Sequence, residues 1–355
     1  MKNRTLRWLG VVAFVALTSP LFAQLSGSYT IDPSGTGTNN YTSFTSAISA
    51  LSTSGVSGAV TFNVKQGTYT EQVTIPAVTG ASATNKITFQ ADPTNTSAAT
   101  VTYSPTGTSD NWTVRLNGCS YITLKGLTIT SGGTTYGRLM DYTGTVGNIT
   151  LTDNVFNGVA TSTSSYYAAM YNTSPYTVGG NWTFDGNTVN NCSYAFYVYG
   201  TTTASADTVN LVNNTLNITY YGTYFYYAKQ QNITGNTINN AGTGSIYNYV
   251  YYPKYGANIK NNTLNDVYYG FYCYGMPTTA TAETHWEVEN NNINSRYIGL
   301  YFYGSTTTTS PNWNLIAKKN NIVITGSSTN YGIYLGYVNS SSTNPSYVEN
   351  NMISS

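Results

Sequence analysis

The second half of the chain alternates apolar and polar side chains in short runs, and four of these runs share a tyrosine-rich pattern. They read AFYVYG (195–200), GTYFYY (222–227), YYGFYCYG (268–275) and GLYFYG (299–304). Alternate residues of an extended strand point to opposite faces. Phe271 and Cys273 are therefore predicted to face a core, whereas Tyr272 and Tyr274 face outward. The four runs together predict strands that carry tyrosine columns on their outer face.

A second pattern recurs every 22–33 residues and reads apolar, any, apolar, two of any kind, Asn, any, apolar. An earlier copy has Leu127 in place of Asn. Asn tolerates the left-handed backbone of a sharp bend, and stacked amides can hydrogen-bond along an axis. The repeat therefore predicts a structural asparagine ladder. Its members are Asn154, Asn187, Asn214, Asn236, Asn262, Asn291, Asn320 and Asn351.

A repeating unit of this length cannot bury an apolar face alone, so the units are expected to stack. Three short strands per unit predict an all-β fold, a right-handed single-stranded parallel β-helix over residues 24–355 with regular coils from about residue 112. The spacing of Phe44, Ala47, Ile48 and Leu51 predicts a capping helix at about residues 42–54. The final stretch, YVENNMISS, predicts an uncapped C-terminal end that a downstream domain or a partner covers.

The first 23 residues have the pattern of a secretory signal peptide. Lys2, Arg4 and Arg7 precede a short apolar run, and Ala23 is a plausible cleavage site. We therefore expect a secreted or cell-surface protein without a membrane span after cleavage; a retained signal anchor is the alternative. Removal of the segment leaves 11 basic residues against 13 acidic ones, a net charge of −2. The chain has no basic stripe, so nucleic acid is not an expected partner.

The stretch YTIDPSGTGTNNYTSFTSAISAL, followed by AVTFNVKQGTYTEQVTIP, resembles the N-terminal part of pectin methylesterases over roughly residues 29–76. In that family a glycine-rich segment, a cap helix and a G-x-Y-x-E turn lead into a pectin-lyase-like β-helix. The later repeats are similar to those of secreted carbohydrate-active β-helix proteins. The resemblance implies this fold, an extracellular setting and polysaccharide contact. The catalytic motifs of pectin methylesterases and polygalacturonases are not found, and Glu71 matches the family's turn residue.

The outward tyrosines are the predicted binding site for a polysaccharide or a cell-surface glycan. Tyrosine offers a flat apolar ring to the C–H face of a sugar and a hydroxyl to its polar groups. The alternative is structural, because aromatic rings on neighbouring strands also stabilise a sheet. The predicted ligand-binding residues are Tyr197, Tyr199, Tyr224, Tyr226, Tyr247, Tyr249, Tyr272, Tyr274, Tyr301 and Tyr303.

An enzyme is the second hypothesis. Cleavage of a glycosidic bond normally needs two carboxyl groups, and the tyrosine strands from 195 to 304 contain none. Arg115, Arg138 and Asp141 form the alternative catalytic group, for a diverged carbohydrate esterase or polysaccharide lyase. A third hypothesis is a purely structural surface protein, or a flat threonine- and tyrosine-rich surface for ice.

No cofactor is expected. A calcium ion is the alternative, because acidic residues that precede the asparagine bends offer the oxygen ligands that calcium takes. These acids are Asp153, Asp185, Glu289 and Glu349. His285 is the only histidine, which argues against a histidine-rich metal site. The three cysteines are too few for a disulfide framework, and Cys273 is predicted to be a core residue.

Overall fold

The computed structural model describes residues 23–159, 162–172, 178–201, 205–275, 284–304, 313–327, 329–338 and 345–355. The predicted signal peptide lies outside these ranges except for its last residue. The described strands pair in parallel with the equivalent strands of the next coil, in two long sheets. The predicted all-β parallel β-helix with a short N-terminal helix is confirmed.

The first sheet collects the strand that precedes each bend. Its strands in the described ranges are Leu25–Ile31, Asn40–Tyr41, Val56–Val64, Ile87–Ala91, Ser120–Lys125, Val146–Thr152, Val178–Asp185, Thr208–Val212, Gln230–Thr234, Gly256–Lys260, Thr284–Glu289, Trp313–Lys318 and Tyr347–Glu349. In the coils that carry the asparagine repeat, each of these strands ends where the chain turns towards the second sheet.

The second sheet collects both the strand after the bend and the tyrosine-rich strand, which are continuous in four coils. Its described strands are Gly67–Thr70, Val73–Pro76, Ala99–Tyr103, Val114–Asn117, Thr128–Ser131, Met140–Thr143, Val155–Asn157, Met170–Tyr171, Thr188–Tyr199, Thr215–Tyr226, Thr237–Asn240, Tyr247–Tyr251, Thr263–Tyr274, Asn292–Tyr303, Asn321–Ile324, Tyr331–Gly336 and Met352–Ser354. Two short 3₁₀ turns, Thr108–Asp110 and Ser165–Tyr167, lie between its strands.

The predicted capping helix spans Phe44–Ser54 and closes the N-terminal end of the core. Ser43 caps it, accepting a hydrogen bond from the Ser46 N–H at 3.0 Å while the Ser46 hydroxyl accepts one from the Ser43 N–H at 3.2 Å. This reciprocal capping satisfies two backbone donors that a helix start leaves open. The predicted apolar positions are the buried ones: Phe44, Ala47, Ile48 and Leu51.

Core residues stack in columns along the axis, one layer per coil. Phe184, Leu211, Ile233, Ile259 and Val288 occupy successive positions of one column, and each is fully buried. The spacing of about 4.8 Å between parallel strands brings each side chain into contact with its neighbours in the column.

The regular stack begins earlier than the predicted residue 112. Val60 pairs with Ile87, which in turn pairs with Ile122, so the coils are already in register near residue 60. The first coils escaped sequence detection because they lack the ladder asparagine. Gly67 and Ala99 occupy its position, in register one residue before a threonine column.

The eight predicted asparagines form one column of hydrogen bonds. In each step the Nδ2 of one asparagine donates to the Oδ1 of the next, as from Asn236 to Asn262 at 2.9 Å and from Asn262 to Asn291 at 2.9 Å. The backbone N–H of each asparagine donates to the same oxygen, at 3.0 Å in both steps. The column runs without a gap from Asn154 to Asn351.

The backbone explanation for this column was wrong. The ladder asparagines do not have the left-handed backbone; the residue before each of them has it. Asn261, for example, has φ 58° and Asp153 has φ 56°. The left-handed residue therefore makes the bend, and the asparagine that follows it makes the ladder hydrogen bonds. The left-handed positions are Gly126, Asp153, Gly186, Asn213, Gly235, Asn261, Asn290, Lys319 and Asn350.

The last strands of the described chain expose apolar side chains. Met352 is 62% exposed and Ile353 51%; Ile353 continues the buried column of Ile322, whereas Met352 continues the outward column of Asn321. A covering domain or partner at this end stays a prediction. Within the described ranges no helix is long and apolar enough to cross a bilayer.

Candidate functional site

The outward residues of the tyrosine-rich strands form two columns on one face of the second sheet, which we call the tyrosine strip. Its core-facing neighbours, such as Phe271, Cys273 and Phe302, are fully buried, as predicted. The first column contains Tyr171, Tyr197, Tyr224, Tyr249, Tyr272, Tyr301 and Tyr334. The second column contains Tyr199, Tyr226, Tyr251, Tyr274 and Tyr303.

One predicted pair in the strip was wrong by two residues. Tyr249 and Tyr251 occupy the two columns in their coil, whereas Tyr247 pairs with Tyr221 beside the strip. The reason is an insertion, since residues 241–246 separate the strand after the bend from the strand Tyr247–Tyr251. The core residue of this coil, Val250, therefore comes 14 residues after Asn236, not 11 as in the neighbouring coils.

Five of the ten ring contacts between successive coils of the two columns are stacked nearly parallel. The ring centroids of Tyr197 and Tyr224 are 4.4 Å apart at an interplanar angle of 19°. Those of Tyr272 and Tyr301 are 4.2 Å apart at 8°. Such offset or parallel contacts contribute about 0.5–1.5 kcal/mol each beyond the buried area. The strip therefore stabilises the fold, with or without a bound ligand.

The regular stack is interrupted at the coil that contains Tyr249 and Tyr251. The Tyr251 ring lies at 72° to Tyr226 and 82° to Tyr274, so neither neighbour can stack on it. A pocket of about 320 Å³ opens at this place. Its lining consists of Tyr224, Tyr226, Tyr251, Tyr252, Tyr272 and Tyr274.

Tyr252, at the edge of this pocket, has a left-handed backbone, as do Tyr121, Tyr227 and Tyr337. Its φ is 49°, in the left-handed region that a bulky side chain adopts only at a cost of roughly 1–2 kcal/mol. The next coil places Gly275, with φ 76°, at the equivalent position. The preceding coil places Tyr227, with φ 60°, at the equivalent position, and the rings of Tyr227 and Tyr252 stack with centroids 4.9 Å apart.

The strip is electrically neutral over the physiological range. Burial among other rings raises the pKa of Tyr272 and Tyr251 well above the usual value, and it raises the pKa of the adjacent Tyr269 to about 12. The phenols therefore remain protonated and can each donate and accept a hydrogen bond. The face offers neutral rings and hydroxyls to a ligand.

The alternative catalytic group lies on the same face, directly beyond the N-terminal end of the strip. Arg115 pairs in register with Asp141, and Asp141 with Tyr171. Arg115 donates to Asp141 from Nε at 2.6 Å and from Nη2 at 2.7 Å. Arg138 Nη1 lies 3.7 Å from the second carboxylate oxygen. The structure thus places the alternative catalytic group next to the tyrosine strip, although the sequence predicts the two independently.

These three charges are packed against each other and against aromatic rings. Asp141 is 4% exposed and Arg138 is 3% exposed. The Arg115 guanidinium lies 3.1 Å from the ring centroid of Trp112, and that of Arg138 lies 4.9 Å from Tyr171. Both carboxylate oxygens accept hydrogen bonds from Arg115, which leaves Asp141 poorly placed to attack a substrate.

Several residues of this face escaped sequence analysis. Tyr171 sits on a two-residue strand without the repeat pattern, and Trp112 precedes a strand that has no tyrosine. Tyr334 had a usable signal, since GIYLG (332–336) repeats the spacing of GLYFYG. An alignment of that pattern would have extended the strip by one coil.

The acids before the bends are spread along the outside of the first sheet. Glu289 pairs with Lys318 at 2.9 Å, and Asp185 accepts from Asn213 Nδ2 at 3.3 Å. The described part of the chain contains no group of three potential His, Cys, Asp or Glu ligands for a metal. A calcium site remains an expectation from the sequence. Among the described residues the three cysteines are free and buried.

No protein-family model matches the chain, and no curated protein matches it. Among solved structures, the chain is similar to a crystal structure of a pectin methylesterase in complex with a hexasaccharide. The two chains are 11% identical, and the alignment covers 86% of this chain and 92% of the other with a TM-score of 0.42. The β-helix architecture described above rests on the strand pairing of this chain itself.

Proposed function

We propose that this protein binds a polysaccharide or a cell-surface glycan, without cleaving it, through the tyrosine strip. The observation that carries the proposal is the six-tyrosine pocket in the middle of two continuous columns of half-buried rings. Its volume of about 320 Å³ lies at the lower end of the range typical of ligand pockets. A pocket of this size has room for a sugar unit of a longer chain.

The chemistry of the strip suits a neutral sugar polymer. Tyrosine rings cover the apolar C–H faces of pyranose rings, and their hydroxyls bond with sugar hydroxyls at a low cost in side-chain entropy. The first column spans seven coils, or about 30 Å at the spacing of parallel strands. Several sugar units can therefore contact the strip at once, each with a modest contribution to affinity.

Tyr252 forms part of the wall of the six-tyrosine pocket. Its ring also stacks on the ring of Tyr227 in the preceding coil, with centroids 4.9 Å apart. The left-handed backbone of Tyr252 recurs at Tyr227, Tyr337 and Tyr121, so it does not by itself mark a binding residue. A variant at Tyr252 therefore tests the pocket wall directly.

The test is a glycan array probed with the parent chain and with three variants. Tyr272→Ser with Tyr274→Ser, and separately Tyr252→Gly, should weaken binding while the fold persists. Tyr252→Gly should change the unfolding midpoint little, because relief of the left-handed strain offsets the loss of ring contacts such as that with Tyr227. Tyr121→Ser, on the outer face of the first sheet, is the matched control and should bind like the parent. Parent protein that binds no glycan, or equal losses in all variants, would overturn the proposal.

The enzyme hypothesis rests on Arg115, Arg138 and Asp141, and their mutual pairing weighs against it. We expect no release of methanol or unsaturated uronates from pectin above background. Turnover that disappears in Asp141→Asn, in protein shown to be folded by circular dichroism, would favour the esterase or lyase instead.

Export to the cell surface is part of the same proposal. It rests on the signal-like pattern of the first 23 residues, of which 1–22 lie outside the described ranges. Mass spectrometry of the N-terminus of the exported protein would test it, with cleavage after Ala23 as the expected result. Protein retained in the cytosol with an intact Met1 would contradict it.

A further inference from the structure

A second regular surface lies on the strands that follow the bends, and we call it the threonine–asparagine face. It consists of two outward columns, two residues apart along each strand. The first column is Thr68, Thr100, Thr128, Val155, Thr188, Thr215, Thr237, Thr263, Asn292 and Asn321. The second is Thr70, Thr102, Thr130, Asn157, Asn190, Asn217, Asn239, Asn265, Asn294 and Val323.

The face is neutral and contains no aromatic ring at any of these described positions. In these ten coils all but two of its side chains are threonine or asparagine, and the residues between the columns are buried in the core. In the last coil Met352 and Ser354 continue the two columns. Neighbouring strands cover the flanks of each side chain, so most are half-buried and only their outer atoms meet solvent. This composition differs from that of the tyrosine strip on the same sheet.

The polar groups of this face are held in fixed positions. The second column contains an amide ladder of its own, in which Asn217 Nδ2 donates to Asn190 Oδ1 at 2.8 Å and Asn239 Nδ2 to Asn217 Oδ1 at 2.7 Å. Further steps join Asn190 to Asn157 at 2.9 Å and Asn265 to Asn239 at 2.8 Å. The threonines are β-branched and restricted in χ1. Little conformational freedom is therefore left to lose on binding.

The repeat of the face is set by the geometry of the β-helix. Successive groups within a column are about 4.8 Å apart, and the two columns are about 7 Å apart because they are two residue steps apart along a strand. Ten coils in register give an array about 43 Å long. A rigid array with two constant repeats complements a partner that is itself periodic in two directions.

A sugar polymer is a poor match for this array, since its apolar ring faces would find no aromatic partner. Hydroxyl, methyl and amide groups at fixed intervals instead order a layer of water. Ice repeats in two directions at distances close to those of the face. We propose that the threonine–asparagine face binds ice, through a layer of water held in register with the ice lattice. The proposal is independent of the glycan-binding role of the tyrosine strip.

The first sheet offers a natural comparison. It also has an outward threonine column, formed by Thr61, Thr88, Thr123, Thr150 and Thr183. The column beside it is irregular and carries charges, with Lys125 and Asp185 among its members. A charged and irregular neighbour prevents a continuous ordered water layer, so this surface is not expected to bind ice.

The test measures thermal hysteresis, the gap between melting and freezing points of a single ice crystal, with the full chain. The parent should show a measurable gap. Thr215→Lys with Thr237→Lys places two long charged side chains on adjacent strands of the face and should remove most of it. Thr123→Lys with Thr150→Lys makes the same change on adjacent strands of the first sheet and should leave it unchanged.

Each outcome decides the proposal. A parent chain without hysteresis overturns it, and so does an equal loss in both lysine pairs when circular dichroism shows both to be folded. If the first pair fails to fold, the single change Thr237→Lys replaces it. The variant Tyr272→Ser with Tyr274→Ser should keep the full hysteresis. Loss of hysteresis in that variant alone would move ice binding to the tyrosine strip and overturn the assignment made here.

Discussion

Replacing Asn262 with leucine tests the ladder at its centre. The Asn262 side chain makes four buried hydrogen bonds: Nδ2 donates to the Ile233 carbonyl at 2.8 Å and to Asn291 Oδ1 at 2.9 Å, and Oδ1 accepts from Asn236 N and Nδ2. Leucine can make none of them. Asn291 Oδ1 keeps the backbone N–H of residue 262 as a donor, and Asn236 Nδ2 keeps the Leu211 carbonyl as an acceptor.

The change therefore removes four buried hydrogen bonds, among them the one that satisfies the Asn236 N–H. At about 1 kcal/mol for each lost hydrogen bond, the loss is about 4 kcal/mol. Burial of a larger apolar side chain returns about 2 kcal/mol. We expect a net fall of about 2 kcal/mol in the free energy of unfolding, measured from urea denaturation followed by circular dichroism.

The control is the neighbouring residue Asn261, which has the left-handed backbone and no ladder bond. Asn261→Gly should leave the urea midpoint unchanged or raise it slightly, since glycine adopts this backbone without strain. Leu127 shows why leucine is tolerated at the N-terminal edge of the column: the preceding coil has Ala99 at this position, so no asparagine there needs its oxygen. An Asn262→Leu variant as stable as the parent would refute the account of the ladder.

Three further outcomes are expected. Phe271→Ser should lower the free energy of unfolding by at least about 3 kcal/mol, because it leaves a cavity and buries an unpaired hydroxyl. The double change of Tyr272 and Tyr274 to serine should lower it less, by about 0.5–1.5 kcal/mol for each lost stack on Tyr301 and Tyr303; a reversal of this order in urea titrations would contradict the assigned faces. Glu71→Gln should lower the free energy of unfolding by about 1 kcal/mol. The Glu71 carboxylate accepts hydrogen bonds from two backbone N–H groups at the start of the capping helix, and its negative charge is favourable at that end of the helix. An unchanged urea midpoint would contradict this role. Burial raises the pKa of Tyr269 to about 12, so folding favours the neutral phenol, and the stability it contributes is present below pH about 10 and lost as pH rises towards 12. The parent and Tyr269→Phe should therefore show equal tyrosinate absorbance at pH 10, and a lower absorbance in the folded variant would contradict this last expectation.

The coils, the core columns and the ladder could be predicted because two strong constraints repeat in the sequence. Alternation fixes which face of a strand is buried, and the asparagine marks the same point of successive coils. Phe184 and Val288 lie in one column for this reason. Coils without the asparagine, such as the one around Val60, carry no such mark and were missed.

The errors at the site have local physical causes. Tyr247 is predicted in the strip on a spacing from Asn236 that is one residue longer than in the other coils, and an insertion before the strand shifts the register by a further two residues. The bend was attributed to the ladder asparagine because asparagine suits both a left-handed backbone and an amide ladder. Only the coordinates separate the two tasks, with Asn261 in one and Asn262 in the other.

The proximity of Arg115 and Asp141 to the tyrosines depends on strand pairing across coils. Residues 26 apart become neighbours because each coil advances by one strand spacing. The order of coils then places Tyr171 between the charges and Tyr197. No local pattern in the sequence around Tyr171 predicts this arrangement.

The ladder tolerates very different lengths of chain between its members. Asn154 and Asn187 are 33 residues apart and Asn214 and Asn236 only 22, yet both pairs make the same bonds. Each coil is thus a module whose ladder hydrogen bonds do not depend on the lengths of its loops. Recombination between similar repeats could add or delete one whole coil without disturbing the others. The length of this protein, and of every surface on it, is then a quantity that evolution can change in steps of one strand spacing.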